Sequence, residues 1–363
     1  MIDHEELANK TVERMAGPRR HFSIRALLEG QPSLTYICVR RRQPTMPSAL
    51  ISQFIVVALL LVLRPSLVAA TVRASFLTER AALRDTVAVL RSGGCTQEAT
   101  TTLQRAVEHY ASSTFDFDFG KFPKSRDGFY VFESAAALVA ALPHQLADTR
   151  HAYEFNCFDT AVALAGESLR TSVRPDELAG PYLVPYTPTN GSFTILPRAT
   201  ARDAFSLVYP EWYRDATEEA LPKSMRDARI SLTAALFRSH VLPQSATEEG
   251  LARGVMEALR ASWAQQGMSF PRRFEVVLCH QVSLPQRWFV TVHAGLLFPR
   301  ERGFTYIEKA GGSGPFVRLD FDDRAALLTW FGGMFRGAEK LGYTHHFATF
   351  NDTKIEMVEF LKK

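Results

Sequence analysis

Apolar positions recur along this chain at two spacings, and the change of spacing divides it. Ser75–Leu90 places Phe76, Ala81, Leu83, Val87 and Leu90 near one face of a helix, which Gly93-Gly94 closes. Thr96–Ser112 repeats the pattern with Leu103, Val107 and Tyr110, so residues 71–112 read as an antiparallel helical hairpin. The period then drops to two. Phe115-Asp116-Phe117-Asp118-Phe119-Gly120 alternates apolar with charged, which predicts a strand with one wet face. Asp116 and Asp118 suit solvated strand positions better than a cation site. Gly128–Phe132 is a second short strand, and Ser134–Leu146 a helix with Ser134 as its cap.

A further helix-like run, Ala161–Leu169, precedes an irregular excursion. Arg174–Pro197 is rich in Pro and Gly and reads as a loop over a cleft, with Tyr182 and Tyr186 available to line a groove or to pack on proline. From Ala201 to Gln266 the pattern is mostly helical, broken at Pro222 and Pro243. Strand-like runs then follow at short intervals: Phe274–Cys279, Trp288–Phe298, Phe304–Lys309 and Val317–Phe321. Asp322–Arg336 reads as a helix on an acidic cap, and His346–Asn351 and Lys354–Phe360 as closing strands. A helical N-terminal half followed by an antiparallel sheet in the C-terminal half predicts an α+β domain over residues 113–363.

Composition narrows the function classes. Apolar residues make up 46% of the 363 and charged residues 22%, enough for a sizeable core without disulfides. The net charge of +4 is mild and much of the excess lies before residue 46, so nucleic acid is not an expected partner. Ala49–Leu63 is apolar apart from Ser52 and Gln53, follows Arg40-Arg41-Arg42, and leads through Arg64-Pro65 to Val68-Ala69-Ala70. Residues 49–70 therefore read as a signal peptide cleaved after Ala70, or as an uncleaved anchor through 49–63. Either implies an extracytoplasmic location, secreted or held at the inner membrane. Residues 1–48 are longer than an ordinary leader head. They are expected to be a poorly ordered basic tail, or to reflect a true start further on, at Met15 or Met46. Beyond the apolar run lie Cys95, Cys157 and Cys279, read either as a Cys95–Cys279 bridge with Cys157 free or as three buried thiols.

One cysteine is placed for chemistry. Cys157 stands in Tyr153-Glu154-Phe155-Asn156-Cys157-Phe158-Asp159-Thr160, directly ahead of a helix-like run. A thiol there feels the positive helix end and its free N–H groups, which favour the thiolate. His293 lies inside the apolar strand candidate, and Glu308 ends the next one. These are the nucleophile, the base and the group that aims the base in thiol catalysis, with Asn351 as the rival orienter. Asn156 and Phe158 flank the sulfur where an oxyanion would form. The competing reading is a core cysteine, a satisfied core histidine and a surface carboxylate beside Lys309. His345-His346 lacks the matched spacing of a metal site, and Gly311-Gly312-Ser313-Gly314-Pro315 opens no helix, so neither a metal nor another cofactor is expected.

Asn156-Cys157 before a helix, His293-Ala294-Gly295 in a strand and Glu308-Lys309 shortly after resemble the papain-like bacterial cell-wall peptidases and amidases of the NlpC family. The likeness is greatest to a secreted group with the same Asn-Cys, His-Ala-Gly and Glu-Lys motifs. It covers residues 150–352. Asn156 and Phe158 flank Cys157 where the usual NlpC pattern is Asp-Cys-Ser. The resemblance implies a papain-like fold, with Cys157 as nucleophile, His293 as base and Glu308 as orienter. It also implies cell-wall peptide as the substrate class. A non-catalytic binding module of the same fold and a thiol acyltransferase are the alternatives.

Overall fold

The computed structural model describes most residues between 72 and 359; residues 113–121, 134–136, 139–140, 142–156, 178–181, 186–192, 197–199, 203–222, 237, 311–313 and 336–337 lie outside the description, as do 1–71 and 360–363. The basic tail, the apolar run 49–63 and the alternating Phe115–Gly120 segment therefore fall outside it. So do Asn156, Tyr186, most of the Ser134–Leu146 helix and the start of the Gly311–Pro315 loop. Among the described residues no helix is long and apolar enough to cross a membrane.

The described part is mixed α and β. In chain order it runs β1 (Val72–Phe76), α1 (Arg80–Ser92), α2 (Gln97–Ser112), β2 (Tyr130–Phe132), α3 (Cys157–Ala165), β3 (Tyr182–Pro185), β4 (Phe193–Leu196) and α4 (Lys223–Leu236). It continues with β5 (Ser239–Val241), α5 (Leu251–Gln265), β6 (Glu275–Ser283), β7 (Trp288–Pro299), β8 (Phe304–Lys309) and β9 (Phe316–Phe321). It closes with α6 (Arg324–Met334), β10 (His345–Phe350) and β11 (Lys354–Val358). Nine of the strands form one antiparallel sheet in the order β11-β10-β6-β7-β8-β9-β1-β2, with β5 also on β7, and β3 pairs with β4 alone.

Three expectations need correction, the first being the irregular Arg174–Pro197 excursion, within which Tyr182–Pro185 and Phe193–Leu196 pair as β3 and β4. The first half is not a helical block. β1 and β2 come from it and extend the same sheet through β9, with Ala74 opposite both Leu319 and Tyr130. The first helix starts at Arg80 rather than Ser75, because Val72–Phe76 forms a strand whose Val72, Ala74 and Phe76 are buried. A five-residue run is too short for its periodicity to separate strand from helix, and pairing with β9 decides it. The short β5 between α4 and α5 was also not legible: Ser239–Val241 is a strand only because β7 offers it an edge.

The later elements follow their patterns. α4 begins just after Pro222. α6 is capped by Asp323, whose carboxylate accepts from the Ala326 N–H at 2.8 Å. Apolar side chains alternate across the sheet and build a core on each face. Val276, Leu278, Ala294, Leu296 and Ile307 pack on one face with α3, α4 and α5. Val277, Cys279, Leu297, Tyr306 and Leu319 pack on the other with Trp330 and Phe331 of α6. Alternation of side chains from face to face dictates this division.

Candidate functional site

The site begins with an interruption in the sheet. β6 covers one edge of β7 from Trp288 to Leu297. On the other edge β5 pairs with Trp288–Val290 and β8 with Leu296–Pro299. Thr291–Gly295 is left without a ladder partner on that edge among the described residues. A bulge marks the same place: Cys279 pairs with His293 while His280 pairs with Thr291, so Val292 is the extra residue. A bulge re-aims side chains, and here His293 comes to lie on the α6 face, 6.5 Å from the Phe331 ring between centroids.

Helix α3 packs on the opposite face, where Cys157 belongs to the cluster with Ala294, Leu296 and Ile307. Cys157 is its first residue, so the sulfur sits at the positive end of the helix. The uncovered stretch of β7 is where a sulfur on one face can reach an imidazole on the other. Burial works against an imidazolium at His293, but the neighbouring Cys157 sulfur and Glu308 carboxylate outweigh it. Together they push the group up to about 10. The structure thus brings Cys157 and His293 together across 136 positions of sequence.

Glu308 completes the group. The β7–β8 register sets Leu296 opposite Ile307, which leaves Glu308 diagonal to His293 on the same face. Its Oε2 contacts His293 Nε2, and its Oε1 accepts from Trp330 Nε1 at 3.1 Å. With Nε2 held by the carboxylate, Nδ1 is the nitrogen left for the sulfur. Cys157 is 5% exposed, His293 2% and Glu308 0%. In so dry a setting a charge persists only beside its counter-charge.

The remaining candidates separate from this cluster. Phe158 is buried beside Cys157 in the α3 core. Asn351 is not an orienter. Its Oδ1 accepts from the Val276 N–H at 2.7 Å and its Nδ2 donates to the Pro271 carbonyl at 2.8 Å, which pins the turn after β10. Glu308 is no surface charge. Lys309 alternates to the other face and is buried too, its Nζ 5.1 Å from the centre of the Tyr110 ring. A Cys95–Cys279 bridge does not form: both thiols are free, in clusters on opposite faces of the sheet. Burial pushes the Cys95 thiol up to about 12. His346 stacks on Phe335, and no group of His, Cys, Asp or Glu among the described residues could hold a metal.

Sequence reasoning missed four neighbours. Cys279 lies directly opposite His293, and burial first, then the charges of Glu308 and Cys157, hold its thiol neutral. Gly295 leaves room for Tyr306: a β-carbon there would come within 2.3 Å of the tyrosine oxygen. Trp330 looked like one more apolar position on its helix, and nothing in the pattern marked its N–H. Arg229 on α4 pairs with Asp159 at 2.6 Å, both buried. That cation offsets a carboxylate two positions along from the sulfur, which would otherwise oppose a thiolate.

A cavity of about 620 Å³ runs along the far side of α3, lined by residues that include Asp159, Val162, Arg170 and Arg229, and it is not lined by Cys157, His293 or Glu308. Compared with family models, with curated proteins and with solved structures, the chain matches none.

Proposed function

We propose that this chain is a thiol hydrolase of papain-like design that cleaves an amide or peptide bond, with cell-wall peptide as the leading substrate class. The observation that carries the reading is the buried chain Cys157–His293–Glu308, in which both the sulfur and the carboxylate favour a charged imidazole. A histidine that served only to fill the core would be neutral, as His280 is: burial takes it down to about 3.

In the proposed reaction His293 Nδ1 takes the thiol proton, and the sulfur attacks the substrate carbonyl. The positive end of α3, on which Cys157 is the first residue, faces the developing oxyanion. The imidazolium returns its proton to the departing amine, leaving an S-acyl intermediate that water, activated by the same imidazole, hydrolyses. Glu308 keeps Nε2 protonated and Nδ1 facing the sulfur. An acyltransferase would use the same steps with another acceptor in place of water. The basic flank and apolar run at 40–70 fit delivery of the enzyme to the outer side of the inner membrane, where a cell-wall substrate lies.

The test is the alkylation of Cys157 by the small reagent iodoacetamide near neutral pH. The expected result is modification faster than that of a free model thiol, slowed by about 10-fold or more in His293→Ala. Release of amine from peptidoglycan fragments, lost in Cys157→Ala, then identifies the hydrolase. Reaction no faster than the model thiol, unchanged by His293→Ala, overturns the reading and leaves a binding module.

A further inference from the structure

We infer that Trp330 is a positioning residue whose N–H requires an acceptor at one end of residue 308, so that only a side chain accepting at both ends can also hold the Nε2–H of His293 and leave Nδ1 to the sulfur. The inference rests on the catalytic reading of Cys157 and His293 for its importance, though not for its geometry. Glu308 is fully buried between two partners, Trp330 Nε1 on Oε1 at 3.1 Å and His293 Nε2 on Oε2. An indole N–H donates and never accepts. Whatever occupies the Oε1 position must therefore be an acceptor. A carboxylate satisfies this at both ends, so it can take the Trp330 proton donor and the Nε2–H together. Tyr306, packed beside Glu308, imposes no such polarity, because a hydroxyl can donate or accept.

The consequence appears when the symmetry of the carboxylate is removed. In Glu308→Gln, Trp330 forces the amide oxygen to its own side, which turns the amide NH2 toward His293. Nε2 must then present its lone pair, and the ring proton moves to Nδ1. The nitrogen facing Cys157 is now occupied and cannot take the thiol proton. Trp330→Phe releases the constraint. In the double variant Glu308→Gln with Trp330→Phe, the amide can turn over, offer its oxygen to Nε2–H and return Nδ1 to the sulfur.

Two readouts test this in the full chain. The first is alkylation of Cys157 by iodoacetamide. Glu308→Gln is expected to slow it by about 10-fold or more, as loss of the productive tautomer does in related triads, and adding Trp330→Phe to recover part of that loss. The second is the 15N spectrum of histidine-labelled protein, with His293 assigned by comparison with His293→Ala. Nε2 should be unprotonated in Glu308→Gln and protonated in both the double variant and Trp330→Phe. The spectrum does not depend on thiol reactivity, so it decides the inference even if the hydrolase reading falls. The same tautomer in the single and double Gln variants, with alkylation no faster in the double, overturns the role of Trp330. Should Trp330→Phe not fold, benzothienylalanine at 330 keeps the ring shape and removes only the N–H.

Discussion

His293 on β7 and Glu308 on β8 are joined across the diagonal of an antiparallel pair, fifteen positions apart in sequence, with both side chains shut away from water. Together with the Cys157 sulfur, that contact reverses what burial alone would do to the imidazole. Removing the carboxylate therefore has a signed consequence. In Glu308→Ala, burial acts on His293 with less opposition, and the ring titrates well below the value of about 10 that it holds with its partners. An NMR titration of the labelled ring reads this directly, and an unchanged midpoint would show that Glu308 does not govern His293. The linkage has a sign as well. A folded-state value raised above the ordinary 6.5 gives a contribution to stability that is whole below about pH 6.5 and is lost as pH rises through about 10. Glu308→Ala should be less stable than the parent at pH 6, and the gap should narrow toward pH 10.

Gly295 stands two positions beyond His293, where the phenol of Tyr306 crosses the strand. A methyl group there meets the tyrosine oxygen at 2.3 Å and ring carbons at 2.4 and 2.6 Å. Tyr306 is fully buried and packs against Phe331, 5.4 Å between ring centroids, so it has little room to withdraw. Gly295→Ala is expected to cost about 1–3 kcal/mol by overpacking and to displace Glu308, two residues from Tyr306 on the same strand. Denaturant unfolding measures the first effect and the alkylation rate of Cys157 the second. Adding Tyr306→Phe removes the clashing oxygen and should restore part of both. A Gly295→Ala protein as stable and as reactive as the parent would contradict the packing.

The acid side of the stability curve depends on different histidines. Burial takes His280 down to about 3, and its ring lies between two hydroxyls, with Nε2 2.9 Å from Thr349 Oγ1 and Nδ1 3.1 Å from Thr291 Oγ1. His346 is lowered to about 4, by burial first, and His240 is lowered well below its ordinary value. A depressed folded-state value gives stability that is present above about pH 6.5 and lost as pH falls toward the folded value. Urea unfolding between pH 7 and pH 4 should show a steady decline. His280→Asn should be less stable at pH 7 but should flatten the slope by one proton, about 1.4 kcal/mol per pH unit. An equal slope in the variant would mean that His280 takes up its proton without unfolding the chain.

Much of the second half was written in its periodicity. The strand-like runs at 274–279, 288–298, 304–309 and 317–321 became β6 to β9 because short, largely apolar runs suit strands that are buried on both faces of a sheet with a core on each side. Asp323 ahead of an apolar run was enough to start α6. Cysteine at a helix start, histidine in one strand and a carboxylate in the next were likewise visible as types at positions, and these three are the side chains that meet. The first half was read less well. Val72–Phe76 and Ser239–Val241 are too short to carry a period of their own, and each is a strand only because a distant edge pairs with it.

Register is what the chain could not state in one dimension. Asn351 stood as the rival of Glu308 until strand pairing put it at a β-turn and Glu308 beside the imidazole. The bulge at Val292 and the bare edge from Thr291 to Gly295 join groups on opposite faces of the sheet, and neither has a local signature in the sequence. Trp330 was legible as bulk but not as a donor, because hydrophobic pattern records what a side chain hides and not the direction of its one N–H. Local preference and periodicity are properties of neighbours along the chain, and they fixed the elements. The partner of each charge depends on distances between segments far apart in sequence, so only the packed structure could decide it.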